Sequence, residues 1–469
     1  MKTTKKPCLY LPVETKTREF EAKLLLSLNA AISGWRVYLG REEILETLAP
    51  FMPSGVYLAK NISASKFDFL KRLRQYGHTI YSLDEEAGLT SDDFRNFSKN
   101  RFHEDSLNII DKILLWTEEQ KKIFCEQHPA HAPKAFATGS PRLDLLTAKW
   151  KETTKDTEKY YREKYGTFIL FSSNFTVNYL IEGDFFEQRV KKALSLNISK
   201  TEVEAWIELK KKTFSNYCDV LQAAADAFPG LNFVIRPHPA ENPNTWRPVA
   251  EKKSNLHVDS TGPLVGPIRA SAAVLHHGCT AAIEAILNNT PAIYYEPVSV
   301  KNNCSSLFYP AASANASFFC NSEEGLKNVI NKVQAGKVFV SEEMKNALKE
   351  KGIFRDGLSY RRIINELENG LGAGKIQSQN LPSVAPCWAK ALCNRPTETS
   401  KVLLRMALGK KTRGGRIILK KCPYISKKDV HSSELYTELK NHLKKINILE
   451  KFKNILVFNP ASLYPYNDN

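Results

Sequence analysis

Residues 272–287 read AAVLHHGCTAAIEAIL: an apolar run, a short polar turn and a second apolar run with helical spacing. The first run predicts a buried strand over 272–275, and the second predicts a helix from Thr280 to Leu287. A strand followed at once by a helix is the unit from which parallel α/β sheets are built. The stretch therefore predicts an α/β fold, with a ligand site at the turn between its two halves.

The same alternation of strands and helices continues on both sides of this stretch. Predicted strands are residues 7–13, 36–40, 55–58, 78–83, 112–116, 134–139, 167–171, 232–236, 256–258 and 291–295. Predicted helices include residues 20–32, 202–228, 323–334 and 341–350. Strands separated by helices indicate parallel, doubly wound sheets. Because a charged helical stretch over 146–164 divides the two series, we predict two Rossmann-like domains, 1–150 and 151–370, facing each other across a cleft.

The positive charge of the chain lies mostly in its last fifth. The 469 residues carry a net charge of +17. Residues 371–469 hold 18 Lys and Arg against 6 Asp and Glu, a balance of +12. We expect a basic, partly helical extension there, in which 401–428 contacts an anionic membrane surface or the extension packs back onto the first domain. The near-neutral body lacks an aromatic RNA-binding pattern, so nucleic acid is not expected as a partner.

Several classes of protein are disfavoured by what the sequence lacks. No apolar run approaches the roughly 20 residues of a spanning helix, and no secretion signal is evident. The nine Cys form no CxxC pair, which indicates reduced thiols in the cytoplasm. The P-loop and strand-linked GxGxxG patterns are absent, which disfavours a P-loop kinase or an NAD enzyme. Adjacent His276 and His277 would rarely share a metal ion, so no metal site is predicted.

Two loops that follow predicted strands carry candidate anion-binding residues. In the first, prolines flank His238 and stiffen the loop that begins at Arg236. The Arg236 guanidinium suits a phosphate or carboxylate, and His238 can supply positive charge to a leaving phosphate. In the second loop, Ser172, Ser173 and Asn174 can hold a phosphate. The structural alternatives are a rigid surface turn for the first loop and helix capping for the second.

The turn at 277–280 is a third candidate. Gly278 allows a close approach, and the free N–H groups and dipole at the start of the following helix favour a phosphate beside His277 and Cys279. Thr280 either caps the helix or contacts the phosphate. Glu284, one turn further, either accepts hydrogen bonds from a ribose or is an ordinary carboxylate on the helix surface.

Carboxylates in the first domain are candidates for a general base. Glu14 follows the first predicted strand, and Glu85 and Glu86 follow the fourth. A carboxylate at the carboxyl end of a strand can take the proton of an acceptor hydroxyl. The structural alternative is that these acids stabilise the amino termini of helices.

These residues resemble a family, the bacterial surface carbohydrate biosynthesis proteins. The similar segments, spread between about Lys6 and Asn369, are 6–16, 84–86, 137–144, 236–241 and 277–284. Thr-Gly-x-Pro-Arg-x-Asp at 138–144 and Arg-Pro-His-Pro at 236–239 also resemble motifs of capsule Kdo transferases and CDP-glycerol glycerophosphotransferases, which share the GT-B architecture. The chain departs from the family at Ala87, where glycine is expected. The register of the base therefore stays open between Glu85 and Glu86.

The resemblance implies a metal-independent glycosyltransferase of capsule or lipopolysaccharide assembly that needs no cofactor. Its second domain would bind the nucleotide-sugar donor, with CMP-Kdo or a related acidic sugar as the expected donor. The resemblance implies that the donor site is formed by Ser172, Ser173, Asn174, Arg236, His238, His277, Gly278, Cys279, Thr280 and Glu284. The first domain would bind the glycan acceptor, with Glu14, Glu85 and Glu86 facing it. Such an enzyme works in the cytoplasm, on the inner face of the inner membrane.

Three other functions stay open at this point. Nucleotide-sugar 2-epimerases share the predicted two-domain plan, and glycerophosphate transfer would use a similar histidine. The third alternative, from another class, is a non-catalytic protein that binds nucleic acid through the basic extension.

Overall fold

The computed structural model describes residues 7–85, 94–175, 199–239, 241–297, 311–350, 352–372 and 455–457. The chain divides into two compact units. The first takes in residues 1–84, 103–114 and 360–469, and the second takes in 85–102 and 115–359. Two parallel sheets organise the described residues.

The strands are short and pair in parallel with their neighbours. In chain order they are β1 (Cys8–Val13), β2 (Arg36–Arg41), β3 (Val56–Ala59), β4 (Thr79–Leu83), β5 (Lys112–Leu115), β6 (Ala135–Ala137), β7 (Phe168–Ser172), β8 (Asn232–Arg236), β9 (Leu256–Val258), β10 (Ala273–His276), β11 (Ala292–Tyr295), β12 (Phe318–Cys320) and β13 (Ile455–Val457).

Helices connect most of the strands, as parallel pairing requires. They are α1 (Lys16–Ile32), α2 (Glu42–Leu48), α3 (Phe67–Gln75), α4 (Phe94–Arg101), α5 (Glu104–Ile109), α6 (Glu118–Gln127), α7 (Pro141–Asp144), α8 (Lys155–Tyr165), α9 (Lys200–Ala227), α10 (Arg247–Ala250), α11 (Val265–Ala270), α12 (Thr280–Leu287), α13 (Ala311–Asn315), α14 (Glu323–Gln334), α15 (Glu342–Glu350) and α16 (Ser359–Gly372).

The first sheet has the order β13-β2-β1-β3-β4-β5-β6. All six residues of β1 are buried, which explains why its sequence is a continuous apolar run rather than an alternating one. The ring of Tyr10 stacks on that of Tyr38 in β2, with ring centroids 4.7 Å apart. β1 pairs with β2 on one side and with β3 on the other. The direction of winding therefore reverses between β1 and β3.

Two segments late in the chain belong to the first unit. In α16, the backbone oxygen of Glu366 accepts a hydrogen bond of 2.8 Å from Lys112 Nζ, and its carboxylate accepts one of 2.5 Å. β13 pairs with β2, with Ile455 opposite Val37. This pairing joins residues 455–457 to the first sheet, and packing of the wider extension onto the first domain stays a prediction. The segment 401–428 lies outside the described residues.

The two compact units differ from the predicted domain ranges. Residues 115–150 belong to the second unit, and the chain enters the first unit again at Tyr360. The physical reason is that the contacts of α16 lie with β4 and β5, since the Tyr81 hydroxyl and Lys112 both bond to Glu366. Sequence patterns mark the ends of elements but not the partners on which a late helix packs.

The second sheet has the order β12-β11-β10-β7-β8-β9. The long helix α9 covers it with a buried cluster that includes Tyr217 and Leu221, packed with Phe171 of β7. The Tyr217 hydroxyl donates hydrogen bonds to the backbone oxygens of His276, at 2.9 Å, and Tyr295, at 2.6 Å. These bonds tie α9 to the carboxyl ends of β10 and β11.

The predicted α/β class with two doubly wound parallel sheets is confirmed. Helices 280–287 and 323–334 have the predicted bounds. The stretch 146–164, predicted as one charged helical segment, contains two helices. Residues 148–154 form a 3-10 helix, and α8 begins at Lys155. β12 was not predicted, although β9, which is equally short, was. No helix in the described ranges is long and apolar enough to span a membrane.

Candidate functional site

The second sheet reverses its winding between β7 and β10. The chain runs from β7 to β8 and β9 on one side, while β10, β11 and β12 lie on the other. β7 and β10 pair directly, with Ser172 opposite His276 at their carboxyl ends. Open α/β sheets bind ligands beside such a reversal, outside the carboxyl ends of the strands. The loops 173–175 and 277–279 therefore form the candidate site of the second unit.

The loop after β7 uses its hydroxyl groups within the protein. Ser172 Oγ lies 3.8 Å from the sulfur of Cys279, which donates to it. The buried Ser173 hydroxyl donates to Glu241 Oε2 over 2.6 Å. The side chain of Asn174 is half-buried and makes no hydrogen bond within the described part of the chain. The hydroxyl groups of Ser172 and Ser173 are therefore already bonded within the protein.

A buried histidine supports the turn after β10. Nδ1 of His276 accepts the N–H of Gly278 over 3.0 Å, and Nε2 lies 2.9 Å from Ser317 Oγ. Burial lowers the pKa of His276 to about 3, so the ring is neutral at physiological pH. Gly278 has a φ of +94°, a conformation that side chains other than glycine rarely adopt. The turn is therefore fixed by a neutral hydrogen bond and a glycine.

His277 connects the two loops. Its Nε2 accepts the backbone N–H of Asn174 over 3.1 Å. Its ring stacks on Phe175, with centroids 3.9 Å apart and planes 9° apart. A ring nitrogen that accepts an N–H carries no proton, so His277 is neutral and its proton is on Nδ1. The structure therefore brings together predicted residues from both loops.

The helix α12 begins directly after this turn. Cys279 is its N-cap residue and makes no capping hydrogen bond through its side chain. The prediction that Thr280 caps the helix is therefore wrong, because Thr280 is the first helical residue. Burial raises the pKa of Cys279 to about 11, so the group stays a thiol at neutral pH. The first-turn N–H groups of a helix lack intrahelical partners and attract anions.

Glu284 lies in an ion pair one turn along α12. Its Oε1 is 3.4 Å from Arg142 Nη2, and its side chain is only 13% exposed. Arg142 also donates to the backbone oxygen of Glu85 over 2.7 Å and lies over the ring of Trp116. Glu284 is therefore not an ordinary carboxylate on the helix surface. Glu85 is buried in the same unit, and Glu86 lies outside the described residues.

Arg236 and His238 lie in the loop after β8. The buried Arg236 donates from Nη1 to the Tyr161 hydroxyl, at 3.0 Å, and to the backbone oxygen of Thr261, at 2.7 Å. Its Nη2 bonds to the backbone oxygen of Gly262. These bonds hold the segment after β9 against β8, and the phosphate role of Arg236 stays a prediction. His238 is half-buried and its backbone oxygen accepts the N–H of Glu241.

The first unit has a different cluster at its own reversal between β1 and β3. Lys60, which directly follows β3, is buried and bonds to Glu14, which directly follows β1. Its Nζ also lies 3.1 Å from Glu19 Oε1 and 3.6 Å from Glu42 Oε2. The side chain of Glu14 is 59% exposed, whereas that of Glu19 is fully buried. The prediction that Glu14 lies at the carboxyl end of a strand is confirmed.

The charges of this cluster stabilise one another. Burial by itself raises the pKa of Glu19. Four neighbouring groups lower this pKa by more than burial raises it, so the net shift is downward; they are Lys60, the Glu14 N–H, Arg18 and Lys23. Burial lowers the pKa of Lys60, but its acidic neighbours outweigh that effect and the net shift is upward. Both groups are therefore charged at neutral pH.

Sequence reasoning missed four residues that the structure places at these sites. Lys60 and Glu19 in the first unit, and Arg142 and Glu241 in the second, were not singled out for a role. Lys60 carried a usable signal, because a charged residue directly after a buried strand lies at the ligand-binding end of a parallel sheet. Arg142 and Glu241 lie within the segments 138–144 and 236–241 that resemble known motifs, but no local pattern indicates the residues to which they bond.

The similarities found between the chain and known proteins are similarities of three-dimensional structure. No family model and no curated protein matches it. The structure is similar to a UDP-GlcNAc 2-epimerase of Methanocaldococcus jannaschii in complex with UDP-GlcNAc and UDP, with 13% identity, 78% of this chain and 100% of that chain covered, and a TM-score of 0.47. It is similar to MnaA of S. aureus with UDP, with 16% identity, 79% and 97% covered, and a TM-score of 0.47. It is also similar to the wall teichoic acid polymerase TagF, with 9% identity, 79% and 90% covered, and a TM-score of 0.48.

Proposed function

We propose that this protein is a glycosyltransferase that binds the phosphates of a nucleotide-activated sugar at the reversal of the second sheet. The observation that carries the proposal is the meeting there of two loops and a helix amino terminus. The N–H of Asn174 bonds to His277, Gly278 has a φ of +94°, and α12 begins at Thr280. A glycine turn leading into a helix offers N–H groups and a positive dipole to a phosphate.

The turn after β10 suits a phosphate because its side chains carry no negative charge that would repel one. The neutral His276 and His277 and the un-ionised Cys279 add no negative charge. The Asn174 side chain can add one hydrogen bond, and His238 is proposed to stabilise the departing phosphate. During transfer the bond between the sugar carbon and the phosphate oxygen breaks, and the nucleotide leaves with the electron pair.

The acceptor step requires a group that takes a proton. The acceptor oxygen forms the new bond to the sugar carbon, and its proton passes to a carboxylate. Glu14 supports this part of the proposal, because it is the exposed member of the buried Lys60 cluster at the reversal of the first sheet. Glu85 is buried and its backbone oxygen is bonded to Arg142, which makes it the weaker candidate.

The resemblance to surface carbohydrate enzymes supports the finer part of the proposal. The proposed donor is CMP-Kdo or a related acidic nucleotide sugar, and the proposed acceptor is a surface polysaccharide or lipopolysaccharide. The proposed location is the inner face of the inner membrane, with residues 401–428 on anionic lipid. Co-sedimentation of the full chain with vesicles, with and without anionic lipid, tests the membrane contact.

The first experiment is a thermal-shift screen with CMP, UDP, CDP and GDP. A nucleotide that binds only the folded protein raises the melting temperature, and the stabilisation grows with the logarithm of the nucleotide concentration divided by Kd. The activated sugars of the nucleotide that binds are then incubated with the enzyme, and the products are analysed. Transfer of the sugar supports the proposal. A sugar epimerised at C2, transferred glycerol phosphate, or an RNA shift without nucleotide binding would each replace it.

A further inference from the structure

Glu241 is a buried carboxylate that bonds to the loop after β7. Its Oε2 accepts the Ser173 hydroxyl over 2.6 Å and Trp246 Nε1 over 2.9 Å. Its Oε1 accepts the backbone N–H of Phe175 over 2.6 Å. The side chain therefore spans from the segment after β8 to the first three residues after β7.

The geometry requires a carboxylate at this position. Two of the three donors, the Phe175 N–H and Trp246 Nε1, can only donate. They bond to different oxygens of Glu241, so each oxygen must accept. A glutamine would place its NH2 group against one of these donors in either orientation. A buried donor without an acceptor costs more than the bond itself contributes.

The loop held by Glu241 also sets the state of His277. Asn174 lies between the two loop residues that bond to Glu241, and its N–H donates to His277 Nε2. Phe175, whose N–H is held by Glu241, provides the ring on which His277 stacks. The position of Glu241 is therefore connected, through two successive residues, to the orientation and the proton of His277.

We propose that Glu241 is a positioning residue of the phosphate site. It holds residues 173–175 so that the Asn174 N–H keeps His277 as the Nδ1–H tautomer. Its effect reaches the ligand through Asn174 and His277. The inference rests on the proposed function where it concerns nucleotide phosphate, whereas the effect on His277 is independent of any ligand.

The test is the tautomer of His277, measured by ¹⁵N NMR of histidine-labelled full-length protein without ligand. The chain has 10 His, and the signals of His277 are assigned by their loss in a His277→Asn variant. The wild type is expected to show an unprotonated Nε2. Glu241→Gln is expected to give a mixture of tautomers and to weaken binding of the nucleotide from the panel of four by roughly tenfold.

Two variants serve as matched controls. Glu158→Gln changes another buried carboxylate of the second unit. Glu158 lies in α8, and its Oε1 accepts a hydrogen bond from the Thr154 hydroxyl over 2.7 Å. Trp246→Phe removes one donor to Glu241 and keeps the aromatic packing. Both are expected to lower the melting temperature and to leave the His277 tautomer as in the wild type. If Glu241→Gln does not fold, Glu241→Asp is used instead. The aspartate keeps the negative charge, but its shorter side chain moves the acceptor oxygen away from the Phe175 N–H.

The outcomes separate the inference from the proposed function. A wild-type tautomer in Glu241→Gln overturns the inference, and so does a protonated Nε2 in the wild type. An equal change of tautomer in the control variants also overturns it, because the effect would then be general loosening. If the wild type binds none of the four nucleotides, the proposed function fails, and the tautomer of Glu241→Gln still decides the role of Glu241.

Discussion

The two sheets reverse their winding in the same way but surround the reversal with opposite chemistry. In the first unit, buried Lys60 lies among the carboxylates of Glu14, Glu19 and Glu42. In the second unit, a hydrogen bond from the Asn174 N–H to the neutral His277 joins the two loops, and the carboxylate of Glu241 accepts hydrogen bonds from the loop after β7. One reversal is therefore held by ion pairs, and the other by hydrogen bonds from backbone and hydroxyl groups beside a helix terminus.

The difference shows that topology places a site and that the side chains decide what it binds. The free N–H groups at the amino terminus of a helix attract an anion such as phosphate. A cluster with one exposed carboxylate, Glu14, suits a group with a proton to give up, such as a hydroxyl. The comparison predicts that substitutions in the first unit act mainly through charge, and those in the second mainly through backbone geometry.

Removing the central charge of the first cluster should have the largest effect. Lys60→Met leaves the fully buried Glu19 without its closest cation and should lower the free energy of unfolding by about 3–5 kcal/mol. Urea denaturation measures it. Lys155→Met is the control, because Lys155 and its partner Glu152 are both more than half exposed and such a pair is worth about 1 kcal/mol or less. Equal losses in both variants would contradict the central role of Lys60.

His238→Ala tests the catalytic half of the second site. If the histidine stabilises the departing phosphate, the variant should lose at least about 100-fold in kcat while its melting temperature stays near that of the wild type. His257→Ala is the matched control, because His257 is another half-buried histidine of the second unit that bonds to Asn232 rather than to the candidate loops. Wild-type turnover in His238→Ala would remove this residue from the mechanism.

Gly278→Ala tests whether the second site depends on backbone geometry. A side chain at a φ of +94° should cost about 1–2 kcal/mol, and the turn would shift to avoid it. Nucleotide affinity should therefore fall, as measured by calorimetry. Gly336→Ala is the control, since its φ is +63° and nothing lies within 4 Å of the added Cβ. It should lose similar stability and keep its affinity, and a parallel loss of affinity would count against the proposed phosphate site.

The smallest expected effect concerns acid stability. The folded-state pKa of Glu19 is lowered, so its ionisation stabilises the protein above the ordinary glutamate pKa of about 4.3. This contribution is lost as the pH falls through the folded-state pKa. Glu19→Gln should therefore show a shallower loss of stability in acid than the wild type, measured by urea denaturation at successive pH values. Glu43→Gln, at a largely exposed carboxylate, should keep the wild-type slope.

Much of the fold could be predicted, because buried parallel strands are continuous apolar runs. Cys8–Val13 and Phe168–Ser172 are buried along their whole length, and both were predicted within one residue at each end. β12 and the packing of α16 on the first unit were not predicted, and for α16 the reason is that packing partners leave no local pattern in the sequence. The positions of the candidate loops followed from the strands that precede them.

The bonding within the candidate site was less predictable. Ser173 and Asn174 are adjacent polar residues, but they bond differently. The Ser173 hydroxyl donates to Glu241, whereas Asn174 donates to His277 through its backbone N–H. Arg236 was predicted to bind phosphate, and its described bonds go to Tyr161, Thr261 and Gly262. Such choices depend on which donors and acceptors the fold brings together, and the spacing of residues in the sequence does not record that.

The pairing of β13 with β2 has a consequence for handling the protein. Residues 455–457 occupy the backbone hydrogen-bonding groups on the outer side of Val37–Leu39. A chain shortened before Ile455 would leave that side open, and an open strand side is a template for association with other chains. Shortened variants should therefore be checked for aggregation before any loss of activity is assigned to the basic segment that they lack.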